Sequence, residues 1–244
     1  MTVESLRRIR HLSSIIDAVN YLEIGVFTGK VFNNLNFSGK KIAVDPFFQF
    51  DKKQFTNSQT SFYECTSDFF FEHFIEDIKF DMVYLDGLHT YEQTFADLCN
   101  VLNFCKPETF ILLDDIYPID EFSSLRSQDL CYKQRMMHNI NHDNPAAWHG
   151  DTYKILYLIN HYLRSYDYAT IMGSGNPQAV IWKKSLYRQE LKTPFKKFKN
   201  QGLLHNITET LGSINYFKTM EYYECIFNKV SENILFEYLL SARI

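Results

Sequence analysis

Glycine is scarce in this chain of 244 residues, with nine in all. A glycine that does occur therefore tends to hold a position that needs it. Cysteine is sparse and odd in number, and Cys65, Cys99, Cys105, Cys131 and Cys225 show no C-x-x-C spacing. Reduced thiols in a cytoplasmic protein are the plain reading. No apolar run approaches the roughly 18 residues of a membrane span, so no membrane partner is expected. Three arginines within residues 1–10 have no apolar stretch behind them, which speaks against a signal peptide. A basic surplus is missing too. The net charge of −4 argues against a nucleic-acid partner.

What is present describes an ordinary globular protein. Hydrophobic residues make up 45 % and charged residues 22 %, which excludes wholesale disorder. A chain of this length buries on the order of 70 % of its unfolded surface and needs no disulfide or metal to hold a core. The charge is uneven, with 17 Lys+Arg against 23 Asp+Glu in residues 1–185 and 8 against 6 in residues 186–244.

Short apolar runs alternate with helical patterns from residue 20 to about 185. Strands are expected at 21–24, 41–45, 61–65, 80–85 and 109–113, the last two ending at Asp86-Gly87 and Asp114-Asp115. Between them Thr90 and Gln93 fit a capping box. Phe95, Leu98, Leu102 and Cys105 then mark one helix face, and Pro107 stops it. Alternating strands and helices imply βαβ units and a parallel sheet. Residues 167–172 and 178–182, joined by Gly173-Ser174-Gly175-Asn176-Pro177, read as a closing hairpin, so one edge strand should run antiparallel. Residues 192–199 read as a basic linker. Ile214, Phe217, Val230, Ile234 and Tyr238 then mark one long helix over about 214–240.

The stretch Glu23-x-Gly25-x-x-x-Gly29 follows the first strand directly. Two glycines let the backbone turn tightly and approach a nucleotide, although Phe27 stands where dinucleotide loops carry a middle glycine. A simple strand-to-helix turn is the plain alternative. Asp45 ends the second strand, where an acidic side chain accepts hydrogen bonds from ribose hydroxyls. Ser67 and Asp68 lie where a loop binds adenine, or else they cap a helix. A G-x-x-x-x-G-K-[ST] phosphate loop is absent, and these glycines suit a nucleoside without a long phosphate chain. Asp86, Asp114 and Asp115 end adjacent strands, and carboxylates that close are costly without a cation between them. Oxygen ligands favour a hard ion such as Mg²⁺. The alternative is that Asp114-Asp115 merely opens a loop.

Together these features resemble a class I S-adenosylmethionine-dependent methyltransferase over roughly residues 18–185. The resemblance implies a Rossmann-like, doubly wound α/β fold with a seven-stranded sheet and an antiparallel C-terminal hairpin strand. Its most specific part is Leu85-Asp86-Gly87-Leu88-His89-Thr90-Tyr91-Glu92-Gln93 with Leu113-Asp114-Asp115. Both are similar to metal-dependent bacterial O-methyltransferases of the macrocin and sugar-modifying kind, as is Trp148-His149-Gly150-Asp151. The resemblance implies S-adenosyl-L-methionine as cofactor, held by Glu23, Gly25, Gly29, Asp45, Ser67, Asp68 and Asp86. It further implies Mg²⁺ on Asp86, Asp114 and Asp115, and a small-molecule or sugar hydroxyl as acceptor.

His89 stands where catechol-type relatives carry a lysine that takes the hydroxyl proton. A neutral imidazole could do the same, with Asp86 as a competitor and helix capping as the plain alternative. Residues 116–150 form a connection long enough to wall a substrate. His138, His142, Asp143 and His149 have spacings compatible with a transition metal, but substrate contact or surface placement suits them better. Asp151 is expected to cap the helix that follows it. The chain thus divides into a cofactor-binding domain, 1–185, and a helical C-terminal extension, 186–244, expected to serve a homodimer. Two other functions stay open: a nucleoside-binding domain without catalysis, serving assembly, and a nicotinamide-dependent enzyme.

Overall fold

The computed structural model describes residues 4–138, 147–187 and 211–242. Strands β1 (Tyr21–Ile24), β2 (Lys41–Val44), β3 (Thr60–Tyr63), β4 (Phe80–Leu85) and β5 (Cys105–Leu113) run parallel in the order β3-β2-β1-β4-β5. β1, β2 and β4 are buried along their whole length. That explains why they read as continuous apolar runs rather than alternating ones. β4 shows the division of labour: Val83 and Leu85 face one core layer, Met82 and Tyr84 the other.

The first layer is covered by α2 (Ser67–His73), α3 (Tyr91–Leu102) and α5 (Ile155–Tyr162), the second by α1 (Glu4–Ile15). Helix α4 (Gln128–Met137) lies in the long connection after β5. The closing hairpin is present as β6 (Tyr166–Met172) and β7 (Gln178–Lys183). Its second strand is not at the edge. β7 inserts between β5 and β6, antiparallel to both, and is buried from Gln178 to Trp182.

The C-terminal segment departs most from expectation. Residues 214–240 do not form one helix. They form α6 (Tyr216–Tyr222), a 3₁₀ turn, an eighth strand β8 (Lys229–Ser231) and α7 (Glu232–Ser241). The break is at Asn228, whose φ of +45° no helix accepts. Its carboxamide donates to the Tyr168 carbonyl, and β8 then pairs in parallel with β6. There the chain crosses the sheet edge. Ile214, Ile226 and Phe227 are buried in the first layer, and Val230, Leu235 and Leu239 in the second with Leu6, Ile9 and Trp182. Among the described residues the sheet therefore has eight strands rather than seven. The basic stretch 192–199 lies outside the described residues.

Two capping expectations also change hands. Thr90 precedes α3 but makes no side-chain cap bond; Gln93 turns instead to Ser67, Asp68 and Asp97. Asp151 caps nothing of its own helix. It accepts from the Tyr91 amide at 3.4 Å and pairs with Arg126 and Lys154, so a residue 60 positions away serves the start of α3.

Candidate active site

The carboxyl ends of β1, β2, β4 and β5 open into a cavity of about 800 Å³. It lies where strand order reverses around β1 and β4, the usual ligand crevice of an open α/β sheet, and its volume suits a small organic ligand.

The loop after β1 forms one wall. Gly25 has φ +84°, and a Cβ there would lie 1.9 Å from the backbone oxygen of Asp86. Its glycine is needed because the turn after β4 presses on it. Gly29 has φ +71° and packs on Asn33 and Phe50; it shapes the loop but does not line the cavity. Phe27, at the absent middle glycine, is itself left-handed at φ +49° with an exposed ring.

Asp45 holds this loop. Oδ2 accepts from the amides of Val26 (2.7 Å) and Phe27 (2.8 Å), and Oδ1 from that of Phe47 (2.7 Å). Its side chain is thus largely spent on backbone, with one lone pair on Oδ1 left for a ribose hydroxyl. Glu23 is buried and accepts from the Tyr21 hydroxyl at 2.5 Å. Burial pushes its carboxyl well above the usual range.

Ser67 and Asp68 also line the cavity. Neither is the cap of α2, because Thr66 Oγ1 accepts from the Phe69 amide. Gln93 Nε2 reaches across from α3 to Asp68 Oδ1 (3.1 Å), Asp97 Oδ1 (3.0 Å) and Ser67 Oγ (3.3 Å). Burial raises the Asp97 carboxyl to about 6, against the lowering effect of its Ser67 and Gln93 hydrogen bonds. A carboxyl whose folded value is raised stabilises the fold while protonated and loses that contribution as pH rises through about 6. Asp97→Asn should therefore leave thermal stability near the parent's at pH 4 and exceed it at pH 8, by roughly 1–3 kcal/mol. Equal shifts at both pH values in a melting series would refute this.

The opposite wall carries the charges. Asp86 Oδ1 and Asp115 Oδ2 lie 3.6 Å and 2.9 Å from His89 Nε2. Among the described residues these three form a group whose ligand atoms all lie within 4.8 Å of one another. Burial works against a charge on His89, but Asp115 and Asp86 outweigh it and raise the imidazole to about 11. In this arrangement the two carboxylates beside His89 favour its protonated form. Asp86 is pushed up by burial and by Asp114. Burial would raise Asp115 as well, but His89 holds it below the usual range.

Asp114 stands one step behind this cluster. Its Oδ2 accepts from the Tyr84 hydroxyl and from Gln178 Nε2 (3.0 Å), and its Oδ1 from the Asp115 amide (2.9 Å) and Asn176 Nδ2 (2.5 Å). Asp115, at φ +54°, directs Oδ2 to His89 Nε2 (2.9 Å), and both aspartates line the cavity. The structure thus brings Asp86 and Asp115 together with His89 and binds Asp114 into a buried network. Two convergent carboxylates with an imidazole beside them suit a divalent cation chemically.

The long connection supplies a lid-side contact. Trp148 stacks on His89 with ring centroids 4.6 Å apart, and a Cβ on Gly150 would lie 1.8 Å from the His89 backbone oxygen. His149 is buried 3.9 Å from Asp115 Oδ1. His138 instead stacks on Phe122, and His142 and Asp143 lie outside the described residues. Sequence reasoning missed Gln93, Asp97, Asn176 and Gln178. The glycine-flanked Asn176 at the hairpin tip was the one legible hint.

Residues 22–116 match a family model described as a methyltransferase domain. That stretch contains both the Gly25 loop and the Asp86, His89 and Asp115 cluster. Over that stretch the chain is similar to a methyltransferase domain. No curated protein matches the sequence. Among solved structures, a proposed caffeoyl-CoA O-methyltransferase from Staphylococcus aureus is similar at 14 % identity and a TM-score of 0.52, over 75 % of this chain and 84 % of that one. The cofactor-bound Rv0187 protein from MTB is similar at 12 % identity and a TM-score of 0.50, over 75 % and 82 %. At these identities the likeness is one of fold. The sheet extends past the matched stretch, since the hairpin strand β7 pairs directly with β5. No helix among the described residues is long and apolar enough to cross a membrane.

Proposed function

We propose that the chain transfers the methyl group of S-adenosylmethionine to a hydroxyl oxygen of a small molecule or sugar, with Mg²⁺ assisting. The observation that carries this reading is one continuous cavity, walled by the Gly25 loop on one side and by Asp86, His89 and Asp115 on the other. The O-methyltransferase description of the Staphylococcus aureus neighbour supports it.

In this reading Gly25, Asp45, Ser67 and Asp68 hold the nucleoside, with Glu23 and Gly29 shaping the wall. Asp86 and Asp115 are the residues that would hold Mg²⁺, and Asp114 fixes Asp115 from behind. A bound divalent ion would supply Lewis acidity, lowering the pKa of the acceptor hydroxyl. With the cofactor bound, the acceptor oxygen would displace the methyl group from the sulfonium sulfur, a C–O bond forming as the S–CH₃ bond breaks, and the hydroxyl proton would pass to a protein base. His89 and Asp86 are the candidates within the cluster. A divalent charge between the carboxylates would relieve His89 of the need to carry its own, and Asp86 is a stronger base for being buried. Trp148 and His89 wall the acceptor side and exclude water.

Calorimetric titration with S-adenosylmethionine, with and without Mg²⁺, tests the assignment. Binding near micromolar Kd is expected, with Asp115→Asn abolishing the Mg²⁺ response and changing cofactor affinity less than about threefold. Absent cofactor binding would end the proposal; an unchanged Mg²⁺ response in Asp115→Asn would remove the metal from it.

A cytoplasmic, homodimeric protein is proposed as well. All five cysteines are free, and Phe217, Tyr222, Ile234 and Leu240 leave apolar surface exposed on the C-terminal segment. A light-scattering mass of one chain at tens of micromolar would refute the dimer.

A further inference from the structure

Beneath the carboxylates, both ends of the chain meet at one buried side chain. Arg8 of α1 has no exposed surface. Its guanidinium donates to the backbone oxygens of Asn176 (2.6 Å) and Ser174 (2.9 Å), to Gln178 Oε1 (2.9 Å) and to Glu232 Oε2 of α7 (3.2 Å). Glu232 is gripped a second time by Arg7. The loop between β6 and β7 is thereby pinned against α1 so closely that a Cβ on Gly175 would lie 2.5 Å from Glu4 Cγ.

That loop carries one side chain aimed at the site. Asn176 Nδ2 donates to Asp114 Oδ1 (2.5 Å) and to Asp115 Oδ1 (3.0 Å), and its Oδ1 faces His149 Nε2 at 3.1 Å. A second branch runs alongside. Gln178 Nε2 donates to Asp114 Oδ2 (3.0 Å) and to Ser5 Oγ of α1 (2.8 Å). Asp115 needs such support, since a left-handed backbone at a non-glycine residue persists only when its surroundings impose it. A buried guanidinium is costly unless its donors are matched. Here they are matched to the backbone of the very loop that reaches the two aspartates.

We propose that Arg8 is a positioning residue for the site carboxylates. Clamped by Glu232, it fixes residues 174–176 so that the Asn176 carboxamide sets the orientation of Asp114 and Asp115. This rests on reading the cluster as the methyl-acceptor site. It makes α1 and α7 working parts of that site, although neither lines the cavity. Lysine cannot replace the arginine, because a single ammonium cannot span two backbone oxygens, an amide oxygen and a carboxylate in one plane.

Nuclear magnetic resonance of the Asn176 carboxamide tests this without an acceptor or a metal. Its two N–H signals, assigned by their loss in Asn176→Ala, should be well separated and protected from solvent exchange in the parent protein. In Arg8→Lys they should move toward free-carboxamide positions and exchange about tenfold faster or more, while the backbone amides of Gly25 and Asp45 keep their positions. Glu232→Gln, which preserves shape, should give the same change at smaller size and stands in if Arg8→Lys does not fold. Unchanged Asn176 signals in a folded variant would overturn the proposal. So would shifts spread evenly through the Gly25 loop, which would mark general loosening. Titrating the parent with S-adenosylhomocysteine separates the two readings. Failure to bind it would sink the methyltransferase assignment, whereas the carboxamide signals report on Arg8 alone.

Discussion

Gly25→Ala is expected to destabilise the protein by about 3 kcal/mol or more and to remove cofactor binding. Two costs combine. An alanine at φ +84° pays roughly 1–2 kcal/mol for the left-handed backbone. The added methyl would also sit 1.9 Å from the Asp86 oxygen, and that obstacle is backbone rather than a movable side chain. Relief requires β1 and β4 to part at their carboxyl ends, where the Asp86 amide donates to the Ile24 carbonyl (2.8 Å). For a chain of this size the melting temperature should fall by roughly 10 °C. Gly29→Ala should cost less, because its obstacles are side chains of Asn33 and Phe50. If Gly25→Ala melts with the parent and binds S-adenosylmethionine equally well, the close approach of the two turns is wrong.

Asp45→Ala should damage the protein even without cofactor. A residue that only touched ribose would leave the unliganded fold untouched. Asp45 instead accepts three backbone amides, from Val26, Phe27 and Phe47. Hydrogen bonds to a charged group contribute about 1.5–3 kcal/mol each and do not add fully when shared. The expected loss is on the order of 2–4 kcal/mol in stability, with cofactor affinity falling roughly a hundredfold as the Gly25 loop loosens. Asp45→Asn should rescue little, since its amide nitrogen would face one set of donors. Melting curves of the ligand-free variants decide the matter. An unchanged midpoint together with weakened cofactor binding would return Asp45 to a ribose contact alone.

Local patterns were enough to place the five parallel strands and the closing hairpin. Strands buried on both faces must be apolar throughout, and turn residues bounded each one. The positions of Gly25, Asp45, Asp86 and Asp115 were legible for the same reason: ligands bind at the carboxyl ends of such strands, and the first three directly follow one while Asp115 lies one residue further on. Roles were less legible than positions. His89 looked like a neutral base because its own neighbours in sequence show only Asp86; Asp115, which carries the shorter contact, is 26 residues on.

The rest was decided by contacts between distant segments. Capping is a competition among all donors within reach, so Thr66 took the role open to Ser67, and Asp151 came to face α3. A helical stripe over 214–240 satisfies periodicity, but α6 ends at Tyr222, the chain turns at the left-handed Asn228, and residues 229–231 pair with the edge of β6. Asp114 and Asp115 are adjacent in sequence and alike in chemistry. Asp114 is tied to Tyr84 and Gln178, Asp115 meets His89, and the Asn176 carboxamide donates to both. Sequence by itself determined the five parallel strands and the hairpin of the sheet, since those follow from local periodicity and turn chemistry, but not the C-terminal segment. Which carboxylate meets His89 and which helix supports the site depend on charges and hydrogen bonds between residues up to 225 positions apart, and only the folded chain brings these together.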